Sequence, residues 1–303
     1  MFVSWHPPHN WGGQTSYEAP QEWLDLYRDP APLRCRHHGT TSEEFQQSMR
    51  GYMALCSNID WNVGRILDKL DSIGAAEDTL VVFTSDHGDL LGMYEGRPSH
   101  KCSPEDASCR VPLLMRWPQG LGRPRQSDLL AGTLDLMPTI LGLLDLPVPM
   151  TCQGVDLSRA IREENDDAVE SQPLFMFMYS WRGVYTRDFT YSEMCPGVGR
   201  PEPQPQGAPE RFDCLFDKRE DPWCARNFWN APGYEKTQAE LAESTRHWMR
   251  RFGDPFVDFA ALQLATTGEV VAESELYKRS PADCTLKKRP VEMLEEYKKR
   301  FGA

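Results

Sequence analysis

Between residues 43 and 73 the apolar side chains fall at Phe45, Met49, Tyr52, Cys56, Ile59, Val63, Ile66, Leu67, Leu70 and Ile73, in steps of mostly three and four. That spacing predicts one face of a long helix, with Gly74 as its C-terminal stop. The next run, DTLVVFTS (78–85), is apolar and β-branched, which predicts a strand buried on both faces, of the parallel type that helices cover. A second β-like run, RVPLLMRWP (110–118), closes at a proline. Helical spacing returns in GTLDLMPTILGLLDL (132–146), where Pro138 is expected in the first turn because a missing N–H is tolerated there. The opening MFVSW has the composition of a strand interior, and HPPHN then forces the chain out of that strand. A chain that starts in mid-strand is expected to lack an upstream part.

The texture changes after the acidic stretch REENDDAVES (162–171). PLFMFMYS (173–180), GVYTRDFTYSE (183–193) and FDCLFD (212–217) are short β-rich runs, with the proline-rich CPGVGRPEPQPQGAPE (195–210) between the last two. They predict a small antiparallel sheet, followed by a polar helix over 235–251. The expected organisation is an α/β core over 1–150, a sheet-and-helix subdomain over 151–256, and a charged extension over 257–303 with a short helix near 291–301. No internal repeat is visible.

Composition narrows the function classes. With 303 residues, 40% hydrophobic and 26% charged, the chain can bury a substantial core. A formal net charge of -12 argues against a broad basic surface for nucleic acid. No apolar stretch approaches the ~20 residues that cross a bilayer, and MFVSWHPPHN lacks the basic and apolar regions of a signal peptide. The chain as written reads as soluble, and its compartment is left unassigned because a leader would lie upstream. Nine cysteines, without C-x-x-C pairs, form neither a disulfide framework nor a zinc ribbon.

Chemistry concentrates in three segments. In FTSDHGDLLG (83–92), Asp86 offers a hard oxygen ligand and His87 a ring nitrogen, at the carboxyl end of a predicted strand, where open α/β sheets place their ligands. The same residues also suit a strand-ending turn. HPPHN sets His6 and His9 one short turn apart, and Lys101 in HKCSPED reads by itself as a solvated surface lysine.

These pieces, in order, carry a resemblance. HPPHN, EAPQEWLDLY (18–27), GYMALCSNIDWNVGRILDKLDSIGAAEDTLVVFTSDHGDLLG (51–92), HKCSPEDASCRVPLLMRWPQG (100–120), LDLMPTILGLLDLPVP (134–149), RGVYTRDFTY (182–191) and CLFDKREDPWCARN (214–227) resemble the central and C-terminal parts of a type I sulfatase of the alkaline phosphatase-like superfamily. The likeness covers about residues 1–256. It implies an alkaline phosphatase-like mixed sheet flanked by helices, with a small C-terminal antiparallel sheet, and a metal-dependent sulfuric ester hydrolase acting on a sulfated small molecule or glycan. It further implies that Asp86 and His87 face a divalent ion, usually Ca²⁺, that His9 meets the sulfate or the leaving oxygen with His6 beside it, and that Lys101 neutralises a sulfate oxygen. Arg110 is expected to be structural, pairing with a carboxylate such as Glu105.

Two family features have no counterpart in the 303 residues: the C-x-P-x-R motif that yields formylglycine, and the consecutive aspartates near the N-terminus that complete the metal site. CSPED, from Cys102, has the proline but Glu-Asp in place of Ser-Arg, and it follows the metal pair instead of preceding it. The chain alone is therefore expected to be inactive. Asp-His at 86–87 also occurs in related phosphonate or phosphate ester hydrolases, which makes a truncated enzyme of that kind one alternative. A non-catalytic binding protein is another. Oligomeric state is not indicated by the sequence.

Overall fold

The computed structural model describes residues 1–10, 17–28, 43–91, 101, 103–176, 181–194, 198–199, 213–252, 254 and 271–272. It is a mixed α/β chain that divides into two compact units, Met1–Val169 with Asp221–Ala225, and Glu170–Glu220 with Arg226–Ala303.

The first unit is organised around a long helix. Helix α1 (Gln21–Leu24) runs into a single 3-10 turn, Asp25–Tyr27, and helix α2 spans Glu43–Ser72 as its periodicity predicts. Its buried stripe, Phe45, Ser48, Ala54 and Leu55, is interrupted by Gly51, where a Cβ would fall 2.0 Å from the Tyr17 carbonyl oxygen. Only glycine lets that backbone approach so closely. The helix stops as expected: Gly74 has φ +69°, the Ala75 N–H reaches back to the Leu70 carbonyl, and the Gly74 N–H to that of Asp71. This six-to-one plus five-to-two pattern satisfies carbonyls that the last turn leaves open.

Strand β1 (Val81–Thr84) follows. After helix α3 (Asp106–Cys109) comes strand β2 (Leu113–Arg116), antiparallel to β1 in the register Val81↔Arg116 to Thr84↔Leu113. This corrects the expectation of a parallel strand buried on both faces. Val81, Val82 and Phe83 are half-buried and Thr84 is exposed, because β2 is the one neighbour of β1 among the described residues. MFVSW is corrected likewise. Residues 1–5 form no strand and are exposed, since apolar, β-prone composition yields a ladder only where a second strand supplies partners.

Helix α4 (Pro118–Leu121) begins at a proline, and α5 (Leu136–Leu143), entered through the 3-10 turn Thr133–Asp135, carries Pro138 in its first turn. Helix α6 (Ser158–Arg162) packs against α5. The buried Asp135 carboxylate fastens this region by accepting from the Gly132 and Val155 N–H groups at 2.9 and 2.7 Å.

The second unit is the predicted antiparallel sheet. Strands β3 (Gln172–Met176), β4 (Trp181–Tyr185), β5 (Phe189–Met194) and, after the short β6 (Val198–Gly199), β7 (Cys214–Asp217) give the order β3-β4-β5-β7, every pair antiparallel. GVYTRDFTYSE holds parts of two strands joined by a tight turn, in which the Thr186 N–H donates to the Phe189 carbonyl at 2.9 Å. Helix α7 (Glu235–Phe252) buries Leu241, Ala242, Thr245, Trp248 and Met249, a helical stripe laid against β4 and β5. With Val184, Tyr191, Leu215 and Phe228, most of these residues form the core. The indole N–H of Trp248 finds the Ser171 hydroxyl at 3.0 Å, so the ring is buried without stranding a donor. Strand β8 (Val271–Ala272) pairs in parallel with β6. Most of the proline-rich excursion and the segment 291–301 lie outside the described residues. No helix of the described residues is long and apolar enough to cross a membrane. Among the described residues five cysteines, Cys56, Cys109, Cys152, Cys214 and Cys224, are free thiols.

Candidate anion-binding site

The first unit brings the three chemical segments together. The turn His6-Pro7-Pro8-His9 is closed by the His9 N–H on the His6 carbonyl at 3.1 Å, and the two imidazoles stand 4.8 Å apart. The His9 Nδ1 lies 2.9 Å from the Asn10 carbonyl. A carbonyl only accepts, so the ring proton sits on Nδ1 and Nε2 presents a lone pair. Lys101 Nζ lies 2.5 Å from that Nε2 and donates to it. Among the described residues Lys101 has no carboxylate partner.

The His87 ring completes the group, edge-on to His9 at 6.0 Å. Its Nδ1 donates to the Gly88 carbonyl at 2.7 Å, which leaves Nε2 facing Asp86 Oδ2 at 3.6 Å. Asp86 is 86% exposed, and its Oδ1 accepts from the His87 backbone N–H at 3.0 Å. Partial burial acts to raise the Asp86 pKa, but the His87 charge and the backbone N–H outweigh it and hold the carboxylate below its usual value. His6, His9, Asp86, His87 and Lys101 thus form one neighbourhood of one ammonium, three imidazoles and one carboxylate. In a chain of net charge -12 this is a local concentration of donors suited to an anion.

The loop that carries Asp86 and His87 is fastened on two sides. The Ser85 hydroxyl donates to the His87 carbonyl at 2.9 Å, and the Gly88 N–H donates to the Ser108 carbonyl at 2.8 Å. A Cβ on Gly88 would meet the Ala107 carbonyl oxygen at 2.0 Å, so the loop lies directly on α3, just after Lys101. On the other side Asp89 accepts from the Tyr17 hydroxyl at 2.7 Å and from the Leu91 N–H at 2.9 Å. Sequence reasoning missed Tyr17, Gly88, Asp89 and Ser108. Asp89 had a signal, an Asp two residues before an N–H it can cap; Tyr17 had none.

The described contact of Arg110 is with a carboxylate other than Glu105: its largely exposed guanidinium reaches Asp106 at 3.7 Å, one helical turn back, while Glu105 is buried. The two expected metal donors come from adjacent residues. Among the described residues no group of three or more His, Cys, Asp or Glu side chains is arranged to hold a metal ion. Calcium prefers about six to eight oxygen ligands. One carboxylate and one imidazole do not make such a site by themselves.

The chain is similar to known proteins. The sulfatase family model matches residues 2–146. The chain is 29% identical over 266 residues to the ulvan-active sulfatase of Formosa agariphila, covering 83% of this chain and 47% of that protein. It is similar to a solved structure of a protein in complex with its substrate D-glucosamine-2-N,6-O-disulfate, with a TM-score of 0.59 and 25% identity over 70% of this chain and 42% of the other. It shares the fold of the phosphonate monoester hydrolase of Silicibacter pomeroyi, with a TM-score of 0.56 and 23% identity, covering 76% of this chain and 47% of that one. The chain spans about half the length, or less, of these relatives.

Proposed function

Because the chain belongs to the sulfatase family of the alkaline phosphatase-like superfamily, we propose that residues 1–150 carry the sulfate-gripping part of a sulfuric ester hydrolase site, with a sulfated small molecule or glycan as substrate. The observation that carries this reading is the Lys101–His9 contact at 2.5 Å. An ammonium whose partner is a neutral imidazole can turn to a sulfate oxygen without breaking an ion pair. Its charge then offsets the negative charge on the oxyanion in a partly desolvated place. Once Lys101 turns away, His9 Nε2 is released, and after taking up a proton it donates to the same anion. With Nδ1 pinned to the Asn10 carbonyl, Nε2 is the atom that exchanges a proton with the leaving oxygen. His6 lines the approach. Asp86 and His87 are the residues we assign to the metal edge, and no step is routed through an ion there because the described donors do not complete a calcium site.

The 303 residues include no C-x-P-x-R, so the formylglycine nucleophile is not supplied by this sequence and we expect no turnover from it alone. The imidazole at position 87 favours a second reading, a phosphonate or phosphate ester hydrolase. A phosphonate monoester carries a single negative charge, as a sulfate ester does, and would suit the same cation. Residues 151–256 we read as the C-terminal subdomain, and 257–303 as an extension.

Calorimetric titration with inorganic sulfate tests the assignment. Wild type is expected to bind, Lys101→Ala to lose about tenfold or more in affinity, the scale of one charge-assisted bond, and Lys101→Arg to retain part of it. A chromogenic aryl sulfate is expected to give no turnover. Equal sulfate binding by wild type and Lys101→Ala would remove the assignment, and turnover lost in Asp86→Ala would show a nucleophile elsewhere in the chain.

A further inference from the structure

We propose that Tyr17 and Asp89 form a latch that sets the orientation of His87 relative to the Lys101–His9 pair, which makes them positioning residues of the site. The inference rests on the sulfate-binding reading for its functional consequence and on geometry for the latch itself.

Asp89 lies two residues beyond His87, and each of its carboxylate oxygens has a separate task. Oδ1 accepts the Leu91 N–H at 2.9 Å, and Leu91 is held at φ +48°, a left-handed conformation that a leucine adopts at a cost. Oδ2 accepts the Tyr17 hydroxyl at 2.7 Å. The chain leaving His87 therefore turns sharply where a carboxylate fixes it, and the carboxylate is fixed by a phenol.

Tyr17 is a rigid post for that phenol. It is buried, packs with Leu55 and Leu91, meets Tyr52 edge-on at 5.6 Å, and sets its carbonyl in the notch left by Gly51 on α2. It also lies eight residues beyond His9. One hydrogen bond thus ties Tyr17, docked on α2, to the loop that bears Asp86 and His87. The Gly88 N–H on Ser108 ties that loop, in turn, to the helix that follows Lys101. If the tie at Asp89 is loosened, the loop keeps its hold on α3 and is left with only the apolar contact of Leu91 on the α2 side, so the 6.0 Å spacing between the His9 and His87 rings is less firmly imposed.

The experiment uses the full chain with ¹⁵N-labelled histidine, comparing wild type, Tyr17→Phe and Asp89→Asn. In both variants the ring nitrogen signals of His87 are expected to shift or broaden, and inorganic sulfate affinity to fall about three- to tenfold, part of the effect of one lost hydrogen bond to a carboxylate, because the bond positions the site without touching the anion. Asp217→Asn, a change in the other unit, serves as the control that alters stability without moving these signals. Ring signals and affinity unchanged in Tyr17→Phe, whatever its thermal midpoint, would overturn the latch and leave Tyr17 as core packing. If wild type binds no sulfate, the functional reading fails, and the ring signals alone still decide whether the latch exists.

Discussion

Asp217 ends β7 almost fully buried, at 1% exposure, and its carboxylate is surrounded by donors. Arg219 reaches it through Nε at 3.0 Å and a terminal nitrogen at 2.8 Å, the Arg219 N–H at 3.0 Å, and the Tyr234 hydroxyl at 3.1 Å. Chiefly through the Arg219 side chain, and against the effect of burial, its pKa is held down to about 2 from an ordinary 3.8. At about 1.4 kcal/mol per pKa unit the difference is about 2.5 kcal/mol of stability at neutral pH. Arg219 is itself 56% exposed, so solvent screening reduces the expected effect to about 1–2 kcal/mol. The folded pKa lies below the unfolded one, so this stability is complete above 3.8 and is lost as pH falls towards 2. Asp217→Asn keeps the shape and removes the charge. Urea unfolding followed by tryptophan fluorescence should show wild type more stable than the variant by about 1–2 kcal/mol at pH 6, with the gap shrinking to about a third at pH 2.5. A variant equal to wild type at pH 6, or a gap that does not change with acidification, would refute the reasoning.

Gly88→Ala places a Cβ 2.0 Å from a backbone oxygen, and neither partner can rotate away, so a loss of about 1–3 kcal/mol in urea unfolding is expected, with weakened sulfate binding. Burial raises the Glu193 pKa even though Tyr191 and Arg246 oppose it, so its ionised form is penalised above the folded pKa and the penalty is relieved as pH falls towards the ordinary value of 4.5. Glu193→Gln should therefore be no less stable than wild type at pH 7 and should lose the wild-type gain in thermal midpoint on acidification to pH 5. Calcium titrated calorimetrically into the chain should bind more weakly than about 10⁻⁴ M, because the described donors fall far short of the ion's preferred number. Micromolar binding abolished in Asp86→Ala would contradict that.

Helix α2 was legible because thirty residues of consistent period outweigh any single exception, and its end because Gly74 can adopt the left-handed conformation that the stop requires. The antiparallel sheet of the second unit was legible from short alternating runs between turn residues, although the tight turn at Thr186 divides what read as one run into two strands. Sidedness was not legible. DTLVVFTS and MFVSW have the composition of buried strands, but burial is a property of neighbours, and the described neighbours of β1 amount to β2 alone. In the candidate site, Asp86 and His87 were nameable from residue type at a strand end, while His6, His9 and Lys101 were nameable through the family resemblance of the segments that carry them. The contacts that hold them were harder to see. Tyr17 meets Asp89 across 72 residues of sequence, and a tyrosine that supports a loop is indistinguishable in sequence from one that fills a core. The same holds for Arg110, whose position announced a carboxylate partner without saying which of two adjacent acids it would be.

The central claim is that Lys101 and His9 grip a tetrahedral oxyanion together. Selenate has the charge and shape of sulfate and scatters anomalously, so a crystal of the chain soaked in selenate locates the anion without reference to catalysis. The account predicts an anomalous peak within hydrogen-bond reach of both Lys101 Nζ and His9 Nε2, with the 2.5 Å contact between them opened to admit it. Selenate bound elsewhere in the molecule, with that contact intact, would contradict it.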